Sequence, residues 1–149
     1  MARDPYFDIL FEPVKIGPVT AKNRFYQVPH ATGMGYRMPN THAAFRGMKA
    51  EGGWGIVSTG YCSIHPTSDD APYPHLSIWD EDDIKTTALM AEKVHEHGSL
   101  AAMELWHGGH YVANLYSRET PLATFSKPIN YNDPVQSGII GKSDIKKNR

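Results

Sequence analysis

The sequence predicts an α/β fold, and three observations carry that reading. Three apolar runs have strand length (24–28, 54–58 and 100–105), two helical patterns lie between them, and short turns join each helix to the strand that follows. Repeated strand-helix units imply right-handed crossovers and a parallel sheet, which leaves a barrel or an open doubly wound sheet. A (β/α)8 barrel spends about 30 residues per unit, close to the interval between the first two runs, so about three of eight units fit in this length.

Ahead of the first run, Val14 to Lys22 sets a Gly17-Pro18 turn between two short alternating segments, the pattern of a hairpin that lids one end of the sheet. Arg24 to Val28 is rich in aromatic and branched residues and stops at Pro29, where a backbone donor is lost. Asn40 or Thr41 caps a helix whose Ala44, Phe45 and Met48 fall at helical spacing, and Gly52-Gly53 ends it. Trp54 to Ser58 reads as a parallel strand covered on both faces, followed by a long connection from Thr59 to Trp79.

Asp80 caps the clearest helix, which runs to His97 with Glu81, Asp82 and Asp83 at its positive end and Ile84, Ala88, Ala91 and Val94 as its buried stripe. Leu100 to Leu105 is the third strand, interrupted by Glu104 near its carboxyl end. Gly108 to Gly141, with Pro121, Pro128 and Pro134, reads as a long functional loop. Ser143 then caps a further helix that runs a turn or two before Arg149, so the chain reads as cut short.

At 149 residues and 40% hydrophobic content, one globular domain is expected. Fifteen basic against sixteen acidic side chains announce neither nucleic acid nor a basic partner. Cys62 is alone, which excludes an internal disulfide and an iron-sulfur cluster needing about four thiolates. The start, Met1 to Pro5, has no apolar run behind its charge, and no stretch of about 18 apolar residues follows, so a cytoplasmic chain off the membrane is expected. The eight histidines do not form a metal signature: neither His95-Glu96-His97 nor His107-Gly108-Gly109-His110 gives the i, i+4 pair with a third ligand.

Working residues of parallel barrels gather at the carboxyl ends of strands. The three runs end in Pro29-His30-Ala31, Thr59-Gly60-Tyr61 and Glu104-Leu105-Trp106-His107-Gly108-Gly109, a rim suited to a flat polar cofactor. An acid inside an apolar strand must be paired, hydrogen-bonded or neutral, so Glu104 either meets a ring N–H of a flavin or pairs with a residue such as Arg24. His30 reads as a cofactor or substrate contact or as a satisfied loop residue. Tyr61, Trp106 and Tyr111 are candidates for an aromatic wall against an alkylammonium group, Tyr61 foremost. Cys62, with no base motif near it, reads as a small buried hydrophobe.

These residues carry a resemblance. Ala21-Lys22-Asn23-Arg24-Phe25 with Val28-Pro29, Gly52-Gly53-Trp54-Gly55-Ile56-Val57 and Glu104-Leu105-Trp106-His107-Gly108-Gly109 resemble three ordered motifs of the old yellow enzyme family of flavin oxidoreductases. Asp8 to Pro13, Arg24 to His30, Lys49 to Trp54, Tyr61 to Ile64, Ile78 to Asp80 and Ser117 to Pro121 are similar to its trimethylamine and dimethylamine dehydrogenase branch. The resemblance implies the N-terminal part, about three strand-helix units, of a (β/α)8 TIM barrel with an N-terminal hairpin, so that residues 1–149 form a partial FMN-binding domain truncated at its carboxyl end. It implies FMN held along Val28, Pro29, His30, Ala31, Gly60 and Glu104, with Tyr61 in the amine pocket. The implied reaction moves hydride from the carbon beside an amine nitrogen to flavin N5. Electrons would leave through a 4Fe-4S cluster encoded downstream, with electron-transfer flavoprotein as acceptor, and a homodimer is compatible with it.

Two departures stand out. Ala31 occupies the position of the cysteine that bonds covalently to flavin in the amine dehydrogenases, so FMN is expected to be noncovalent. Gly60 stands where those relatives carry a glutamate. The catalytic residues are expected beyond Arg149, which predicts an inactive isolated chain. Alongside an amine dehydrogenase parent stand an NAD(P)H-dependent ene-reductase or dienoyl reductase of the same family, compatible with Ala31, and a non-catalytic residual half-barrel.

Overall fold

The computed structural model describes residues 4–68, 75–130 and 133–147. The readings that fall on 1–3, on 69–74 within the long connection, and on the chain's last two residues lie outside the described residues. After a 3-10 turn at Pro5–Phe11, β1 (Val14–Ile16) and β2 (Val19–Ala21) pair antiparallel as the expected hairpin. A parallel sheet follows, in the order β3 (Tyr26–Gln27), β4 (Ile56–Ser63), β5 (Leu100–Trp106), with α1 (Pro39–Glu51) and α2 (Glu81–His95) as crossovers. The strand-helix alternation therefore builds an α/β parallel sheet whose strands neighbour one another in chain order, as in the start of a barrel.

The motif from Ala21 to Phe25 acts as a latch at the amino-terminal edge of this sheet. Lys22 Nζ donates to the carbonyls of Ala50 at 3.4 Å and His97 at 2.8 Å, joining the ends of both helical segments. The cation thereby meets carbonyls left unpaired where helices finish. Asn23 Nδ2 donates to Gly53 O at 2.7 Å while its Oδ1 accepts from Phe25 N–H at 3.1 Å.

The core lies between the sheet and the two helices: Ala43 and Ala50 of α1, Val57 of β4, Met90 and Val94 of α2, with Ala101 of β5 packed against them. This corrects the stripe of α1 and part of that of α2. On α1 the buried face is His42, Ala43, Arg46, Gly47 and Ala50, while Ala44 is exposed, Phe45 half-buried and Met48 exposed. Close helix packing explains the choice: a Cβ on Gly47 would already lie 3.3 Å from Lys93 Cβ, so small residues face α2 and the larger apolar ones point elsewhere. On α2, Val94 is buried and Ala91 half-buried as expected, but Ile84 and Ala88 are exposed, and Met90 completes the buried side instead.

Element boundaries also differ, and the first strand, expected over Arg24 to Val28, is only Tyr26–Gln27. Neither Asn40 nor Thr41 caps α1; both lie inside it, and Pro39, whose fixed φ suits a first helical position, opens it behind Met38 with no side-chain cap. β4 runs five residues past the expected Ser58 because β5 pairs with it through Tyr61, Cys62 and Ser63. Ser143 lies inside α3 (Lys142–Lys147), where Asp144 Oδ2 accepts from Gly141 N–H at 2.8 Å instead. Asp80 does cap α2, accepting from the N–H groups of Asp82 and Asp83 at 3.0 and 3.2 Å. The segment read as one long loop contains two small strand pairs: β6 (Leu122–Ala123) parallel to β9 (Gly138–Ile139), and β7 (Pro128–Asn130) antiparallel to β8 (Asp133–Gln136). Among the described residues no helix is long and apolar enough to cross a membrane.

Candidate functional site

Parallel pairing brings the carboxyl ends of β3, β4 and β5 to one rim, and a β-bulge decides what that rim presents. Ser58 pairs with Ala102, but the next pair is Tyr61 with Glu104, so β4 carries one residue more than β5. Val57 and Ala101 pack into the helical core, so alternation turns Ser58, Ala102 and Glu104 away from the helices. The extra residue returns Tyr61 to that same face, beside Glu104; without it, Tyr61 would point among the helices.

Gly60 makes the bulge sterically possible. A Cβ at this buried position would sit 2.6 Å from Ala31 Cα, 2.9 Å from Ala31 N and 3.1 Å from His30 O. Ala31 and Gly60 are thus in direct contact. This backbone leaves no space for a glutamate, or any other side chain, at position 60.

The remaining candidates fall around this contact. Val28 is 60% exposed and Pro29 half-buried. His30 is exposed; its N–H donates to Thr59 O at 3.3 Å and its carbonyl accepts from Arg46 Nη2. Ala31 is exposed. Glu104 is exposed as well, on the outer strand of the sheet, and its backbone N–H donates to Thr59 Oγ1 at 3.3 Å. Among the described residues no ion pair joins it to Arg24. Cys62 is fully buried and burial pushes its thiol up to about 11, consistent with the reading as a small hydrophobe.

Tyr61 is half-buried between His75 and Trp106, with ring centroids 5.1 and 5.3 Å away, and its hydroxyl is hydrogen-bonded to His75 Nδ1 at 2.6 Å. Tyr111 stands apart, 74% exposed and against His110. Beyond Trp106 a directed relay runs along the rim. Gly109 N–H donates to His107 Nδ1 at 3.1 Å, which leaves the proton of the neutral ring on Nε2, facing Thr67 Oγ1 at 3.2 Å. The Thr67 hydroxyl can then donate to His65 Nδ1 at 2.8 Å. Burial and the neighbouring His65 lower the His107 pKa, which favours this neutral form.

Sequence reasoning passed over His42, Arg46 and His75. The first two face the sheet from α1, and their signal was a small-residue stripe at positions 43, 47 and 50 with a polar residue beside it. His42 is 3% exposed with neither ring nitrogen hydrogen-bonded, and it lines a void of about 10 Å³ with Thr32, Gly60, Tyr61 and His75. Burial first, and Arg46 second, lower its pKa to about 4. Between about 6.5 and about 4 the unfolded chain takes up a proton that the folded ring refuses. Stability is therefore fully present above that window and falls by about 3 kcal/mol as pH drops through it. Urea unfolding at pH 7 and pH 4.5 should show this fall in the protein and a smaller one in His42→Asn; equal falls would refute the assignment to His42.

Comparison with known proteins follows the same lines. The pattern of the NADH:flavin oxidoreductase / NADH oxidase family matches residues 9–148. Dimethylamine dehydrogenase of Hyphomicrobium sp. (strain x) is 50% identical over 133 residues, which cover 89% of this chain and 17% of that protein. The structure of histamine dehydrogenase from Rhizobium sp. 4-9 superposes with a TM-score of 0.92 at 48% identity, covering 97% of this chain and 22% of that one. The 6-hydroxypseudooxynicotine amine oxidase of Pseudomonas geniculata N1 gives a TM-score of 0.92 at 46% identity, covering 98% and 22%. The chain thus spans about a fifth of the length of these relatives. The fold is the N-terminal part of their (β/α)8 barrel.

Proposed function

Because the chain belongs to the NADH:flavin oxidoreductase / NADH oxidase family, we propose that it forms the first part of the FMN site of an amine dehydrogenase acting on a small alkylamine. The observation that carries this reading is the bulge that sets Tyr61 beside Glu104 on the non-helical face of the sheet, next to the exposed 28–31 segment. The residues present fit a flat ring with one N–H edge. Val28 and Ala31 offer an open apolar approach, Glu104 an exposed carboxylate acceptor, and Gly60 the close approach of β4 to the 30–31 backbone. FMN, when bound, supplies the two-electron acceptor for hydride leaving the carbon beside the amine nitrogen.

The chain's own residues bind and orient. Ala31 carries no nucleophile, so the cofactor is held noncovalently. The Tyr61 ring, packed between His75 and Trp106 and hydrogen-bonded to His75, forms part of an aromatic wall for an alkylammonium group. Cys62, buried and protonated, contributes nothing to a cluster, so any 4Fe-4S centre and any electron-transfer flavoprotein contact belong to other parts of the full-length protein. Ala31 also favours a second reading, an NAD(P)H-dependent reductase of the same family. Rapid reduction of the full-length protein by NAD(P)H, with no response to amines, would select it.

The test is an FMN titration of the protein followed by acid precipitation. Flavin should bind and be released into the supernatant. Colour retained in the pellet would refute noncovalent binding, and folded protein that takes up no FMN would favour the half-barrel without catalytic function.

A further inference from the structure

Arg46 is fully buried, yet none of its contacts is to a carboxylate. Its Nη1 donates to Gln27 Oε1 at 3.0 Å, its Nη2 to the His30 carbonyl, and its Nε has no partner. Gln27 is in register with Val57, which faces the helices, so the guanidinium lies on the helical side of the sheet, directly behind the backbone that continues into residues 28–31. Among the described residues no carboxylate neutralises it. His42, one turn away, is held in its neutral form, and burial keeps the Cys62 thiol protonated. Burial lowers the arginine pKa, but a guanidinium remains charged in any protein setting.

A desolvated cation without a counter-charge is costly, and its field is weakly screened along the directions that water does not reach. Here the nearest open direction is through the His30 carbonyl toward the exposed rim. We propose that Arg46 is a positioning residue that biases the flavin toward its reduced, negatively charged form by placing a permanent buried charge behind segment 28–31. The proposal rests on the FMN reading above. Charge near a flavin ring is one of the means by which a protein tunes that cofactor, and a fixed buried charge needs no reorganisation when the ring gains electrons. The two hydrogen bonds give Arg46 a structural role as well, so charge and geometry must be separated.

Gln27→Glu separates them. It exchanges an amide for a carboxylate of the same shape against the same guanidinium, neutralising the charge with Arg46 still present. Because it also removes the Nε2–H that donates to the Val28 carbonyl, Gln27→Met, which loses that donor without adding charge, is the control and should shift the potential by less than half as much. In the full-length protein with FMN bound, this variant should lower the ratio of reduced to oxidised flavin at fixed potential by about tenfold, a shift of about 30 mV for a two-electron couple. Arg46→Gln should move it the same way, and Arg46→Lys, which keeps the charge but not the fork of donors, by less than half as much. Midpoint potentials from dye equilibration, with far-UV circular dichroism as the folding control, provide the readout. An unchanged potential in Gln27→Glu, or equal shifts in Arg46→Lys and Arg46→Gln, would overturn the proposal. Should Arg46→Gln fail to fold, Gln27→Glu against Arg46→Lys decides alone. Failure of the unaltered protein to bind FMN would instead overturn the functional reading on which this rests.

Discussion

Gly60→Ala should destabilise the protein by about 3 kcal/mol or more, the upper end of what overpacking costs. The new methyl would be placed 2.6 Å from Ala31 Cα and 2.9 Å from Ala31 N, and both are backbone atoms that cannot swing aside as a flexible side chain would. Relief requires the 30–31 segment to move off β4, which breaks the hydrogen bond from His30 N–H to Thr59 O and disturbs the carbonyl that receives Arg46. Two effects should therefore appear together: a lower urea midpoint and a weaker FMN affinity. A loss below about 1 kcal/mol would mean that the bulge accommodates a side chain, and the account of this site as built on a missing Cβ would fall.

Met90→Ala should cost about 2–5 kcal/mol, the range for truncating a buried methionine, whereas Met48→Ala should stay within about 0.5 kcal/mol. Met90 is 2% exposed among Ala43, Ala50, Val57 and Val94, while Met48 is 54% exposed on the far side of α1. Chemical denaturation of both variants distinguishes this packing from the stripe expected for α1 from apolar spacing, Ala44, Phe45 and Met48. A larger loss at Met48 would show that the helix faces the sheet with its apolar residues after all.

The elements themselves were legible in the chain because their causes are local. Gly17-Pro18 turns a hairpin, Asp80 followed by three acids caps a helix, Gly52-Gly53 ends one, and apolar runs separated by helical patterns make parallel strands. The rim positions of Val28 to Ala31, Gly60, Tyr61 and Glu104 followed from the same pattern, since parallel strands bring their carboxyl ends together. Which helix face is buried was not legible. On α1 the apolar spacing of Ala44, Phe45 and Met48 marks one stripe, and the closeness of α1 to α2 at Gly47 selects the neighbouring one that carries the small residues Ala43, Gly47 and Ala50. Nor could the chain alone show that Glu104 would be exposed, because exposure depends on whether another strand lies beside β5. The bulge that turns Tyr61 toward Glu104, and the buried guanidinium that reaches His30 from a helix 16 residues further on, arise from contacts between segments distant in the chain. They belong to packing, where a single missing Cβ or an absent counter-charge counts for more than any local propensity.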